Sequence, residues 1–114
     1  MLPAVGSMEM RPQSLYLLAA LGAGRMHGYA LIQAVERLSG GDVLLRPGSL
    51  YGALERLQSQ GLVAVAGEEQ VAGRVRRYFE LTEAGVVALA EQEARVRRAA
   101  QAARLGLRAH GALS

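Results

Sequence analysis

The chain has 114 residues, 51% of them hydrophobic, with no cysteine and a formal net charge of +3. That length supports one domain with a modest core, the hydrophobic share excludes a disordered chain, and the lack of cysteine excludes disulfides and thiolate sites. All 13 positive side chains are arginine, the better group for bidentate phosphate or guanine contact, although a net charge of this size favours an acidic partner only weakly.

Nothing in the sequence approaches the roughly 20 apolar residues of a membrane-spanning helix, so no membrane partner is expected and a cytoplasmic protein is the default. The opening MLPAVGSMEM lacks the basic start and apolar centre of a signal peptide. Residues 1–10 are read as a flexible tail in which Met8 and Met10 offer alternative starts. A first helix is expected over Pro12–Leu21, where Leu15, Leu18 and Leu21 recur at helical spacing and Gly22 follows as a stop. A short connector, residues 22–26, leads to a second helix from about Gly28 to Leu38, with Leu31, Ile32, Val35 and Leu38 on one face and Gly40-Gly41 ending it. Val43, Leu44 and Leu45 form a brief extended piece.

The most informative stretch is RPGSLYGALERLQSQGLV, residues 46–63. Proline is at home in a first helical turn, so Pro47 and Gly48 open a third helix. Leu50, Leu54 and Leu57 give it a narrow apolar stripe, and Gly61 supplies a left-handed stop. The other face carries Ser49, Tyr51, Arg56 and Gln60, groups that reach phosphates and base edges when a helix end enters a DNA groove.

The period then changes from helical to alternating. Leu62, Ala64 and Ala66 alternate with Val63 and Val65; after the polar segment 67–70, Val75, Arg77, Phe79 and Leu81 alternate with Arg76, Tyr78 and Glu80. This reads as an antiparallel hairpin whose tip, residues 69–74, is longer than a tight turn and projects. Thr82 caps a last helix, with Glu83 in its first turn, running to about Leu107. Val86, Leu89, Val96, Ala100, Ala103 and Leu107 follow the three-four spacing of a helix seam, broken once by Glu93, and Glu91–Arg95 and Glu93–Arg97 pairs lie on the opposite faces. With no evident partner for that seam inside the chain, a second copy of the protein is the expected one.

Three short helices, a hairpin and a long helix make a mainly α fold with minor β: a winged helix-turn-helix over residues 11–82, a dimerisation helix over 83–109 and a tail over 110–114. Such an arrangement reads DNA, although winged helices also serve as protein-interaction modules.

MHGYALI (26–32), RPGSLYGALERLQSQGLV (46–63) and RRYFELTEAG (76–85) together closely resemble the PadR-like transcriptional regulators, in order and at matching separations. The resemblance runs from about Leu15 to Leu89. It implies a dimeric winged-helix repressor of the short subfamily: the helix from Pro47 in the major groove, the hairpin tip at an adjacent groove, the last helix forming the dimer. Two departures stand out. The alanine-rich last helix has no tryptophan, on which a flat-aromatic drug pocket in some relatives depends, and Gly52 stands where many members have proline.

On that reading the DNA-binding candidates are Tyr29, Gln33, Arg46, Ser49, Tyr51, Arg56, Arg74 and Arg76. Ser49 and Tyr51 sit at a helix start, where free N–H groups already attract phosphate; the competing role for Tyr51, and for Tyr29, is a core tyrosine. Arg46 and Arg56 are phosphate clamps or solvated charges. Arg74, at the end of the tip, is the leading wing contact and Arg76 the second. His27 and His110 have no companion ligands, so no metal is expected. Gly22 to Gly28 with Asp42 superficially resembles a dinucleotide fingerprint, but the third glycine is one place late and no further strands exist to build a parallel sheet. No carboxylate pair or activated nucleophile is present, so neither an enzyme nor a cofactor is expected. A small-molecule effector, if one exists, belongs between the long helix and the helical core, and an aliphatic or amphipathic one suits a chain with so few aromatics.

Overall fold

The computed structural model describes residues 10–113; the expected N-terminal tail, apart from Met10, and the final Ser114 lie outside them. The elements are α1 (Pro12–Leu21), β1 (Met26–His27), α2 (Gly28–Leu38), α3 (Pro47–Ser59), β2 (Val63–Val71), β3 (Arg74–Leu81) and α4 (Glu83–His110). The fold is mainly α with a three-stranded antiparallel sheet in the order β1-β3-β2. Among the described residues no helix is long and apolar enough to cross a membrane.

Leucine spacing explains the core. Leu18 and Leu21 of α1 with Leu17 in place of the expected Leu15, which is only partly buried, Leu31 and Val35 of α2, and Leu50, Leu54 and Leu57 of α3 are buried, closed from the sheet side by Val63 and Phe79. Leu38 is half exposed: it continues the α2 stripe but comes at the helix end, past the other helices. Residues 43–45 form no strand; Leu45 turns into the core while Leu44 faces water. Gly61, at φ 77°, makes the left-handed turn out of α3.

The hairpin differs from the sequence expectation. Its strands continue through the polar segment 67–70, and the tip is a tight two-residue turn at Ala72 and Gly73, both at positive φ (52° and 79°), as type I′ hairpins require. Arg74 is therefore the first residue of β3, opposite Val71, and not part of a loop. The segment is polar because the wing stands off the core, with water on both faces. Its glycine serves a β-bulge between Val65 and Gly67, where Gly67 takes φ 144°. The strand β1 was not foreseen; Met26 and His27 pair with Phe79 and Tyr78.

The last helix has 28 residues and so extends about 42 Å. Its start is clamped: the Thr82 hydroxyl accepts from Gly85 N–H (3.0 Å) and donates to the Gly61 carbonyl (2.6 Å), while the Thr82 N–H donates to the Leu62 carbonyl (3.1 Å). The expectation that the α4 seam lacks an intrachain partner is corrected for its first half. Gly85 and Gln92 are buried and Leu89 packs on the core beside α1, because these turns still lie over the helical domain. From residue 96 onward every described residue is exposed, and Val96, Ala100, Ala103 and Leu107 continue the same stripe into water. Val86 sits beside it, also exposed.

Gly85 is where α4 rests directly on backbone: a β-carbon there would overlap the Leu62 carbonyl oxygen. Gly52 of α3, in contrast, has open space around it. Gly85→Ala should cost about 1–3 kcal/mol through overpacking, whereas Gly52→Ala should gain about 0.5–1 kcal/mol from helix propensity. Urea unfolding of the two variants checks the opposite signs.

Candidate nucleic-acid interface

Three features converge at one end of the molecule. Gly28, the first residue of α2, lies under the Tyr51 ring of α3; a β-carbon at Gly28 would stand 2.5 Å from the Tyr51 Oη and 3.2 Å from Leu50 Cδ2. That close approach brings the starts of α2 and α3 together, each with an exposed tyrosine, Tyr29 at 68% and Tyr51 at 51%. The adjoining β1 residue His27 caps α2, its Nδ1 accepting from Ala30 N–H (3.4 Å). It also meets Tyr78 of β3 edge-on at 5.5 Å, which places the base of the wing at the same end.

Gln33 is exposed one turn beyond Tyr29. Arg46 is exposed immediately before α3. Ser49 is already occupied: its Oγ accepts from Arg46 N–H and donates to the Arg46 carbonyl, each at 3.1 Å, so it fastens the helix start. With 100° per residue and Leu50, Ala53, Leu54 and Leu57 buried, the line pointing straight outward runs through Gly48, Gly52, Glu55 and Ser59. Tyr51 flanks this line on one side, Ser49 and Arg56 on the other. That line gives no signal in the sequence, because in its first two turns it carries only glycine, with no side chain to reach outward.

Arg56 comes two turns later and lines a cavity of about 520 Å³ between α1, the end of α3 and α4, with Arg11, Ser14, Leu57, Glu91 and Gln92 among its other walls. It thus stands apart from the Tyr51 side.

On the wing, Arg77 pairs with Glu68 across the strands (3.1 Å). Arg76 lies opposite Glu69 in the ladder, and Arg74 adjoins the turn. Neither Arg74 nor Arg76 has an ion-pair partner among the described residues. Tyr78 donates its hydroxyl to Glu69, and the Arg25 guanidinium lies over the Tyr78 ring, 4.7 Å from its centroid. Arg25 escaped the sequence reading because it lies in a glycine-rich connector whose strand is two residues long. Glu93 binds Arg97 through two 3.0 Å hydrogen bonds, which with the carboxylate's charge raise the guanidinium pKa; this pair spans the middle of α4. Among the described residues no group of three or more His, Cys, Asp or Glu could hold a metal ion.

The sequence profile of the transcriptional regulator PadR-like family matches residues 17–91, from α1 into α4. The chain belongs to this family. Its fellow members are transcriptional regulators, not enzymes. The chain is 36% identical over 77 residues to the transcriptional regulator Rv3488 of Mycobacterium tuberculosis, covering 68% of each. It is 35% identical over 91 residues to the transcriptional regulator YqjI of Escherichia coli, covering 80% of this chain and 41% of that protein, so it spans well under half of YqjI. In fold it is similar to a PadR family transcription regulator from Clostridium difficile (TM-score 0.71, 21% identity, 85% of this chain and 99% of that one). It is likewise similar to Bacillus subtilis PadR, solved in complex with operator DNA (TM-score 0.64, 20% identity, 72% and 47%).

The packing of Tyr51 on Gly28 gives this PadR-like chain a direct test. In Gly28→Ala the end of the Tyr51 ring must swing away and the buried Leu50 side chain must give by a few tenths of an ångström, an overpacking that costs about 1–3 kcal/mol while the fold stays intact. Ring-proton contacts from Tyr51 to residue 28, read by NMR, should be rearranged relative to the native protein. A ring left in its native place would show that Gly28 does not set the Tyr51 position.

Proposed function

We propose that the protein is a dimeric, sequence-specific double-stranded DNA-binding repressor whose hold on its operator is relieved by a small molecule or stress signal. The observation that supports this reading is that the exposed Tyr29, Gln33, Arg46 and Tyr51 flank the starts of α2 and α3, the second of which Ser49 fastens, while the wing that carries Arg74 and Arg76 is rooted at the same end. A helix start offers unpaired N–H groups and a positive dipole end to phosphate. The glycine line of α3 lets its backbone come close to the groove, with Tyr51 beside it to reach base edges. The wing arginines meet phosphate or the minor groove. The structurally similar Bacillus subtilis PadR was solved in complex with operator DNA, which supports duplex DNA as the partner.

The dimer is assigned to α4. Leaving Val96, Ala100, Ala103 and Leu107 in water forgoes about 25 cal/mol for each Å² of apolar surface, and the alanines let two such helices approach closely. Leu89 and Val86 would mark where intrachain packing gives way to that interface. Arg56 is assigned to the cavity rather than to DNA. With Arg11, Glu91 and Gln92 beside Leu57, this cavity suits an amphipathic effector, and a ligand there would touch both the reading helix and α4.

Binding to the duplex upstream of its own gene, with affinity falling steeply as salt rises, separates DNA reading from a protein-interaction module. Arg74→Ala should weaken operator and scrambled duplexes about equally and reduce the salt slope by about one. Tyr51→Ala should cost the operator about 1–3 kcal/mol more than scrambled DNA; an unchanged ratio moves base reading to another residue.

Replacing Val96 and Ala100 together by Asp should give folded monomers that bind the operator poorly. Light scattering at micromolar concentration checks this, and a monomeric native protein would remove the dimer from the proposal.

A further inference from the structure

We propose that Arg25 is a positioning residue for DNA binding, a brace that sets the angle of the wing on the start of α2 without itself contacting DNA; this rests on the DNA-binding reading above. Arg25 holds both strands of the wing at their base. Its Nη1 donates to the Ala66 carbonyl of β2 at 3.2 Å, and its guanidinium lies over the Tyr78 ring of β3 at 4.7 Å. Ala66 sits in the bulge between Val65 and Gly67, where the extra residue loses its ladder partner; Arg25 supplies a donor to its carbonyl.

The ring beneath Arg25 is itself fixed from two more sides. His27 meets it edge-on, at 87° between planes, and Glu69 accepts from its hydroxyl. Because His27 also caps α2, the cluster joins the wing to the helix that presents Tyr29 and Gln33. Gly67 completes the arrangement: its φ of 144° suits glycine, and a β-carbon there would sit 3.5 Å from Arg25 Nη1.

Leverage makes the brace matter. Beyond the bulge, residues 68–75 are all exposed, so the base alone sets the direction of the wing. The tip lies about 17 Å beyond Gly67 at strand rise, and a tilt of about 10° would move it by about 3 Å, enough to break a contact to phosphate. The constraint is planar, a stacked guanidinium whose edge also donates, which lysine does not reproduce.

The test is a cycle of operator affinities for the native protein, Arg25→Ala, the pair Arg74→Ala with Arg76→Ala, and all three changes together. Arg25→Ala should weaken binding about tenfold in the native background and less than about twofold once the wing arginines are gone, because a brace acts only through what it positions. Losses that multiply in full would mean that Arg25 touches DNA itself and would overturn the proposal. So would near-complete rescue by Arg25→Lys, since a plain phosphate contact tolerates lysine. Independently of DNA, amide hydrogen exchange over residues 68–77 of the free Arg25→Ala protein should speed up about tenfold or more while the α2 and α3 amides keep native protection. Unchanged wing exchange overturns the brace. A native protein that binds no DNA overturns the DNA reading and the positioning role with it, and the exchange result still says whether Arg25 holds the wing. If Arg25→Ala loses protection throughout, Arg25→Gln replaces it in the same measurements.

Discussion

Two residue pairings, Met26 with Phe79 and His27 with Tyr78, tie the wing to the helices. Each partner serves both sides of the junction. Phe79 is buried in the helical core, so the base of β3 cannot shift without opening that core. His27 ends the strand and caps α2 within one residue. The next residue, Gly28, admits the Tyr51 ring. Helix starts that would otherwise be independent, together with a hairpin that has little packing of its own, thereby become one surface. A projecting two-stranded ribbon is only marginally stable in isolation, so without this junction the exposed arginines at its tip would have no fixed relation to Tyr29 and Tyr51.

The far side of the molecule obeys a different constraint. The Thr82 clamp and the close seat of Gly85 on the Leu62 carbonyl fix where α4 leaves the winged unit. One apolar stripe then serves two environments, the core of its own chain as far as Leu89 and Gln92 and open water from Val96 onward. The cavity walled by Arg56 and Glu91 lies where the end of α3 and the middle of α4 face each other beside the start of α1. A group bound there would have leverage on both, which is the physical content of an effector site in this protein.

Much of this was legible in the sequence. The helices announce themselves through leucine spacing, Pro12 and Pro47 at helix starts, the Thr82 cap and the left-handed Gly61. The features that escaped have identifiable reasons. A strand of two residues has no period to detect, so β1 and Arg25 beside it looked like connector. The wing stands off the core, so residues 67–70 carry loop-like polarity although they are strand. Ala72 occupies a left-handed position that sequence assigns to glycine or asparagine. The Ser49 hydroxyl, one of the groups the sequence offers to DNA, also closes the turn at Arg46, a local bond that residue type alone does not reveal. Periodicity defined the α4 seam but could not say that its first half packs at home, because an apolar stripe looks the same whichever surface covers it.

The central claim is that the starts of α2 and α3 and the wing form a single DNA-contacting end. Amide exchange across the chain, compared with and without saturating operator duplex, addresses it residue by residue. The account predicts slowed exchange at residues 28–33, 46–52 and 71–77, with residues 96–110 unchanged by DNA. Slowing confined to residues 96–110, or equal slowing with a scrambled duplex at moderate salt, would contradict it.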